Sequence, residues 1–147
     1  MTQRERIFEE LKTKLRILDK SLDLEWGVDL IKYKDSALNY HLDKDYIFLN
    51  FDDCRIFNDF EIKLSLSQLT TTGLKFTEIG GALNNNDEAK ELFQKLEFIL
   101  GKPDYYSETY GEIFTYWEDE NSIIKIYPRH HMGGEWFEYR IQTKRKY

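Results

Sequence analysis

Cysteine, proline and glycine are all scarce, and each shortage excludes something. One cysteine among 147 residues, Cys54, leaves no intrachain disulfide, which fits a reducing compartment. Two prolines and eight glycines leave no linker-like tract, so one domain over residues 1–147 is expected. No apolar run approaches the roughly 20 residues that span a bilayer, and Met1-Thr2-Gln3-Arg4-Glu5-Arg6 is charged where a secretory leader is apolar. The expectation is a soluble cytoplasmic protein with no membrane contact. The sequence also lacks a phosphate-cradling glycine loop, a dinucleotide fingerprint, a nucleophile elbow and zinc-ligand spacing. Neither a cofactor nor a metal is expected, and a non-catalytic role is favoured over an enzyme.

What the chain has is apolar and aromatic. Hydrophobic residues make up 41% and aromatic residues 16%, enough for a packed core without metals or disulfides. The net charge of −6 opposes general nucleic-acid binding, which needs clustered cations.

Hydrophobic period assigns the elements. Thr2 and Glu5 have capping-box spacing, and Ile7, Phe8, Leu11, Leu15 and Leu18 continue one helical stripe toward Leu22. Three segments then read as a strand meander: 24–33 with a bulge at Gly27, 38–42 with Leu38, Tyr40 and Leu42 on one face, and a central strand over 46–51. Residues 60–66 alternate as a strand, after which Ser67 caps one turn of helix through Leu69 and Thr70. Residues 73–86, with Gly80-Gly81 and Asn84-Asn85-Asn86, read as a long irregular connection. Asn86 caps a second helix whose apolar face is Ala89, Leu92, Phe93, Leu96, Ile99 and Leu100, closed by Gly101 and Pro103. Three strands follow at 113–117, 122–127 and 136–141, the last with Phe137, Tyr139 and Ile141 on one face. The expected fold is α+β: a largely antiparallel sheet of six or seven strands, with two main helices packed on one face.

Five stretches carry candidate chemistry. His130-His131 are adjacent in a glycine-bearing turn, where Gly133-Gly134 supply positive φ; the default is a solvated hairpin, not a metal site. Cys54 lies beside Asp52 and Asp53, which oppose thiolate formation, so a buried structural thiol is expected. The tail Lys144-Arg145-Lys146-Tyr147 is expected to fray. Asp53 followed by Glu61-Ile62-Lys63 resembles the loose motif of the PD-(D/E)xK nucleases. That resemblance implies two carboxylates on Mg²⁺ and a lysine positioning water, although Glu-x-Lys also arises by chance on the polar side of a strand.

The favoured stretch is 104–122, which contains six acids and no lysine or arginine. Tyr105, Tyr106, Glu108, Tyr110, Glu112, Glu118, Asp119 and Glu120 are read as a surface for a basic protein partner. Acids steer a cationic surface toward the site, and tyrosines anchor it at low entropic cost. In size, charge and general character the chain resembles the immunity proteins that neutralise toxins in bacterial competition, which implies a basic toxin or effector as partner. A small-ligand cavity between sheet and helices is the remaining alternative.

Overall fold

Thr2 opens the first helix with a reciprocal cap: its hydroxyl accepts the Glu5 N–H at 3.1 Å, and the Glu5 carboxylate accepts the Thr2 N–H at 3.4 Å. The computed structural model describes residues 1–69, 75–131 and 134–147, and in it α1 spans Gln3–Leu11. The helix stops well short of Leu22. Leu11 to Leu15 is a spacing of four, but Ile17 follows Leu15 by two, and that alternation builds a strand instead. Leu15 and Ile17 are fully buried in β1 (Lys14–Ile17), while Lys14 and Arg16 reach across at 3.3 and 2.9 Å to Asp23 of β2 (Leu22–Glu25).

The expected strand over 24–33 is likewise cut short. Gly27 turns the chain at φ +83°, with the Tyr147 ring lying where a Cβ would stand. A 3-10 helix over Leu30–Ser36 follows, its period of three burying Leu30 and Tyr33 on one side.

Among the described residues the main sheet has eight strands rather than six or seven. They are β3 (Asn39–Leu42), β4 (Tyr46–Ile56), β5 (Phe60–Leu69), β6 (Glu78–Leu83), β7 (Tyr105–Thr109), β8 (Glu112–Glu118), β9 (Ser122–His131) and β10 (Gly134–Thr143). Their order is β3-β4-β5-β6-β10-β9-β8-β7, and every described pairing is antiparallel. β4 runs past Phe51 because a bulge at Asp52, φ +54°, returns Cys54 and Ile56 to the buried side. β5 extends to Leu69, so Ser67 caps no helix, and Thr70 lies outside the described residues.

β6 is the largest departure. It runs through Gly80-Gly81, expected as loop, and lies between β5 and β10. These glycines are a matter of space: a Cβ on Gly81 would stand 2.5 Å from the Tyr139 ring, and one on Gly80 2.7 Å from the Tyr139 carbonyl oxygen. The second helix, α2 (Asn86–Leu100), is capped by Asn85, whose side chain accepts the Glu88 N–H at 2.9 Å. Asn86 is thereby freed for another task, described below.

α2 covers β6, β8, β9 and β10, while β1, a short 3-10 turn over Leu18–Lys20 and the 3-10 helix over Leu30–Ser36 cover β4, the last reaching β5 as well. α1 packs against β1 and α2. Phe137, Tyr139 and Ile141 face the core at 4, 2 and 1% exposure, as the alternation of β10 predicts. The tail is docked rather than frayed: Lys144 bonds Glu118 and the Asp119 carbonyl, both at 2.7 Å. No helix among the described residues is long and apolar enough to cross a membrane.

Candidate functional site: the β7–β8 hairpin and the open sheet face

Residues 105–109, read from sequence as part of an acidic segment, form the edge strand β7. It turns into β8 through Tyr110 and Gly111 at φ +53° and +78°, the two positive values of a type I′ hairpin. Asn86 clamps this turn, its amide donating to the Gly111 carbonyl at 2.6 Å and accepting the Ile113 N–H at 3.2 Å. One helical turn on, Lys90 grips Glu108 at 2.5 Å, a hydrogen bond that holds the Glu108 carboxyl below its ordinary range.

Strand alternation then divides the predicted surface between two faces. Tyr106 and Glu108 pair with the buried Thr115 and Ile113 and lie on the helix side, the Tyr106 ring 5.0 Å from Phe93. Tyr105 and Glu112 lie on the opposite, open face, as does Glu118 farther along β8. Tyr105 stacks on Tyr116 at 5.3 Å and 13°, with Phe114 edge-on to both and Tyr127 6.5 Å from Phe114. Tyr105 and Phe114 remain 43 and 39% exposed, and no described helix crosses this face.

The acids do not form one cluster. Asp104 accepts Arg4 at 2.6 Å and the Glu118 N–H at 2.8 Å; burial alone would lift its carboxyl, but these partners hold it low. Glu118 is held by Lys144, and one Asp119 oxygen accepts the N–H groups of Asn121 and Ser122, both at 2.8 Å, which shapes the β8–β9 turn. Asp119 and Glu120 stand at the far end of β8 from Tyr110. The structure therefore gathers Tyr105 with Phe114, Tyr116 and Tyr127 on the open face, leaves Tyr110 exposed at the hairpin tip next to Glu112, and sets Tyr106, Glu108, Asp119 and Glu120 apart. Phe114 and Tyr127 were missed as site residues. Their signal was available: each is an aromatic on the polar register of its strand.

Beside the aromatics, Arg140 anchors a polar group: its Nε donates to the Tyr127 hydroxyl at 2.6 Å, and its guanidinium pairs with Glu78 and Glu138. Burial first, then the hydrogen bond to Glu138, pushes the Tyr127 hydroxyl above its ordinary range.

The remaining candidates separate clearly. Asp53 faces Lys63 and Arg55 faces Glu61 in the β4–β5 ladder, so the nuclease-like trio shares one charged strip. It lines a cleft of about 460 Å³ with Glu88, Glu91 and Lys95 of α2. Arg55 holds Glu61 at 3.2 Å, and no three His, Cys, Asp or Glu among the described residues stand close enough to hold a metal ion. His130 and His131 are strand backbone in β9, not turn; their side chains, and Gly133, lie outside the described residues.

Cys54 is 1% exposed, and burial, followed by the nearby Asp19, pushes its thiol up to about 12. A folded value above the unfolded one keeps its stabilisation intact below pH about 9 and removes it as pH rises toward the folded value. Native protein at pH 8 is therefore expected to resist a maleimide for as long as it stays folded, and to label fully in urea. Rapid labelling without denaturant would contradict the burial.

The chain matches no protein-family description, no curated protein and no solved structure.

Proposed function

We propose that the chain is a non-catalytic protein-binding domain that recognises a basic protein surface with the Tyr110 tip and the open aromatic face of β7–β9. An immunity-type inhibitor acting on a basic toxin or effector is its most specific form. A single buried thiol suits a reducing, cytoplasmic setting.

One observation carries the reading. Tyr110 occupies the first central position of a type I′ turn, where asparagine, aspartate or glycine is favoured, yet it is a bulky residue at φ +53° and 99% exposed. Its ring contributes nothing to the core, and the left-handed backbone costs roughly 1–2 kcal/mol for a residue of this kind. A costly, solvent-facing aromatic at the tip of a hairpin whose open face carries further exposed rings is what a binding anchor requires. Tyrosine faces also attract lysine and arginine, and Glu112 and Glu120 add negative potential at the two ends of β8. Glu108 and Glu118 already hold Lys90 and Lys144, so they shape the field and do not meet the partner directly.

The test uses Tyr110→Asn. Relief of backbone strain should raise stability by about 1 kcal/mol in urea unfolding. Cross-linked capture from the producing cells should lose a basic protein that the wild type retains, with affinity for the purified partner falling at least tenfold. A variant that is stabilised and binds undiminished would end the proposal.

A further inference from the structure

The opposite edge of the main sheet carries a different anomaly. Leu38, Tyr40 and Leu42 share one face, as their alternation predicts, yet they are 64, 51 and 48% exposed. The 3-10 helix packs mainly on β4 and β5 and reaches β3 through Lys34, whose ammonium lies 5.2 Å from the centre of the Tyr40 ring. Edge strands are ordinarily guarded by charge or proline, because their unpaired backbone templates further pairing. β7, at the far edge, has such a guard in the Lys90–Glu108 ion pair. Asn39-Tyr40-His41-Leu42 has no proline and no lysine, arginine, aspartate or glutamate of its own; the charges beside it are Lys34, over the face of the Tyr40 ring, and Asp43, 3.8 Å from His41.

We infer that β3 is a self-association edge, on which a second copy of this chain pairs antiparallel about a two-fold axis at His41, making one continuous sheet of the two. The register follows from backbone parity. The Asp43 N–H donates to the Tyr46 carbonyl at 2.9 Å, so the backbone groups of Asn39 and His41 point to β4, and those of Tyr40 and Leu42 point outward. The Leu38 N–H is already given to the Asn50 carbonyl at 2.9 Å. Only with Tyr40 opposite Leu42 of the second copy do both outward residues find partners, and that register sets His41 against its own counterpart. Tyr40 and Leu42 of each copy then cover one another on one side of the sheet. On the other side the His41 rings meet, with a tilted Tyr46 ring 5.4 Å behind each.

If wholly covered, Leu38, Tyr40, Leu42, His41 and Tyr46 would contribute on the order of 500 Å² per copy, so at most about 1,000 Å² for the pair, the lower bound for a specific interface. A net charge of −6 on each copy opposes association at long range, but these four strand residues add nothing to that repulsion. The β7–β8 hairpins would stand at the two outer ends of the joined sheet, so each pair presents two recognition tips.

The experiment is cysteine cross-linking of the full chain, read beside sedimentation equilibrium. Across a non-hydrogen-bonded antiparallel pair the Cα atoms lie about 4.5 Å apart, within disulfide reach. His41→Cys should therefore form a covalent dimer on mild oxidation, whereas Asn39→Cys, which faces Asp43 of the other copy, should not. Buried Cys54 stays out of the reaction. The wild type should sediment as a concentration-dependent dimer, and Tyr40→Lys should weaken association at least a hundredfold with its melting temperature unchanged. A wild type that remains monomeric to about 1 mM, a dimer that survives Tyr40→Lys, or equal cross-linking at both cysteines overturns the inference. Each outcome is independent of partner capture through Tyr110, so failure of one reading is distinguishable from failure of the other.

Discussion

Gly81→Ala is expected to cost about 3 kcal/mol, the upper part of the range for overpacking a filled core. The new Cβ would stand 2.5 Å from the Tyr139 ring and 2.9 Å from the Lys63 carbonyl oxygen, and neither can yield cheaply. Lys63 is held by β5 pairing with β4, and Tyr139 is 2% exposed with its hydroxyl donated to that same carbonyl. Moving the ring would break this bond and leave a buried hydroxyl unpaired, a further cost. Gly81 is not among the residues with positive φ, so alanine there suffers from crowding alone. A second substitution separates the causes. Tyr139→Leu in the Gly81→Ala background removes the ring and should recover part of the loss, giving a coupling well outside additivity. Urea unfolding of the single and double variants measures it. A Gly81→Ala protein with the wild-type midpoint would mean that β6 does not lie beneath Tyr139.

This crowding also explains why β6 was illegible in the sequence. Glycine pairs advertise loops, and nothing local distinguishes a glycine chosen for a turn from one chosen because a tyrosine 58 positions later lies across it. Long-range causes hid the other misread elements as well. The period of the sequence carries the first helix past Leu11 because Leu11 and Leu15 suit either a helix or a helix followed by a strand. What decides is Asp23, which takes both Lys14 and Arg16 across the β1–β2 hairpin. By contrast α2, with polar caps at one end and Gly101 at the other, follows from local chemistry to within a residue, and strict alternation gives the faces of β10, although that strand runs two residues beyond 136–141 at each end.

The candidate site was half legible. The density of acids and tyrosines over 104–120 is a property of the sequence, but which of them share a surface depends on β7 being a strand. Once Tyr105 and Tyr106 point to opposite faces, Tyr106 joins Phe93 against the core side, and Phe114 takes its place beside Tyr105. The ion pairs were equally hidden. Arg4, Lys90 and Lys144 come from α1, α2 and the tail, and each neutralises one acid of a segment that contains no cation of its own. In the proposed binding role, recognition therefore falls to the rings, with charge in a steering role.

Trp117→Ala is expected to cost about 4 kcal/mol, within the range for deleting a buried tryptophan and a large share of the stability of a domain this size. Trp117 is 0% exposed in β8, and its ring stacks on Phe93 of α2 at 5.7 Å and 27°. Its Nε1 donates to the Gly101 carbonyl at 2.8 Å, which fixes the C-terminal end of α2 to the sheet. Alanine leaves a cavity and releases that end of the helix together. Trp117→Phe separates the two effects: the stack survives and the bond to Gly101 is lost, so a loss of only about 1–2 kcal/mol is expected. The pair also reads out how α2 serves the hairpin. Asn86 clamps the Tyr110–Gly111 turn at the other end of α2, so a loosened C-terminus transmits to the tip only if the helix moves as a rigid body. Hydrogen exchange at Ile113, whose N–H is given to Asn86, reports this directly. In Trp117→Phe that amide should keep its wild-type protection relative to the global value. Early exchange there would mean that the tip is held through the helix C-terminus and not by the Asn86 clamp alone.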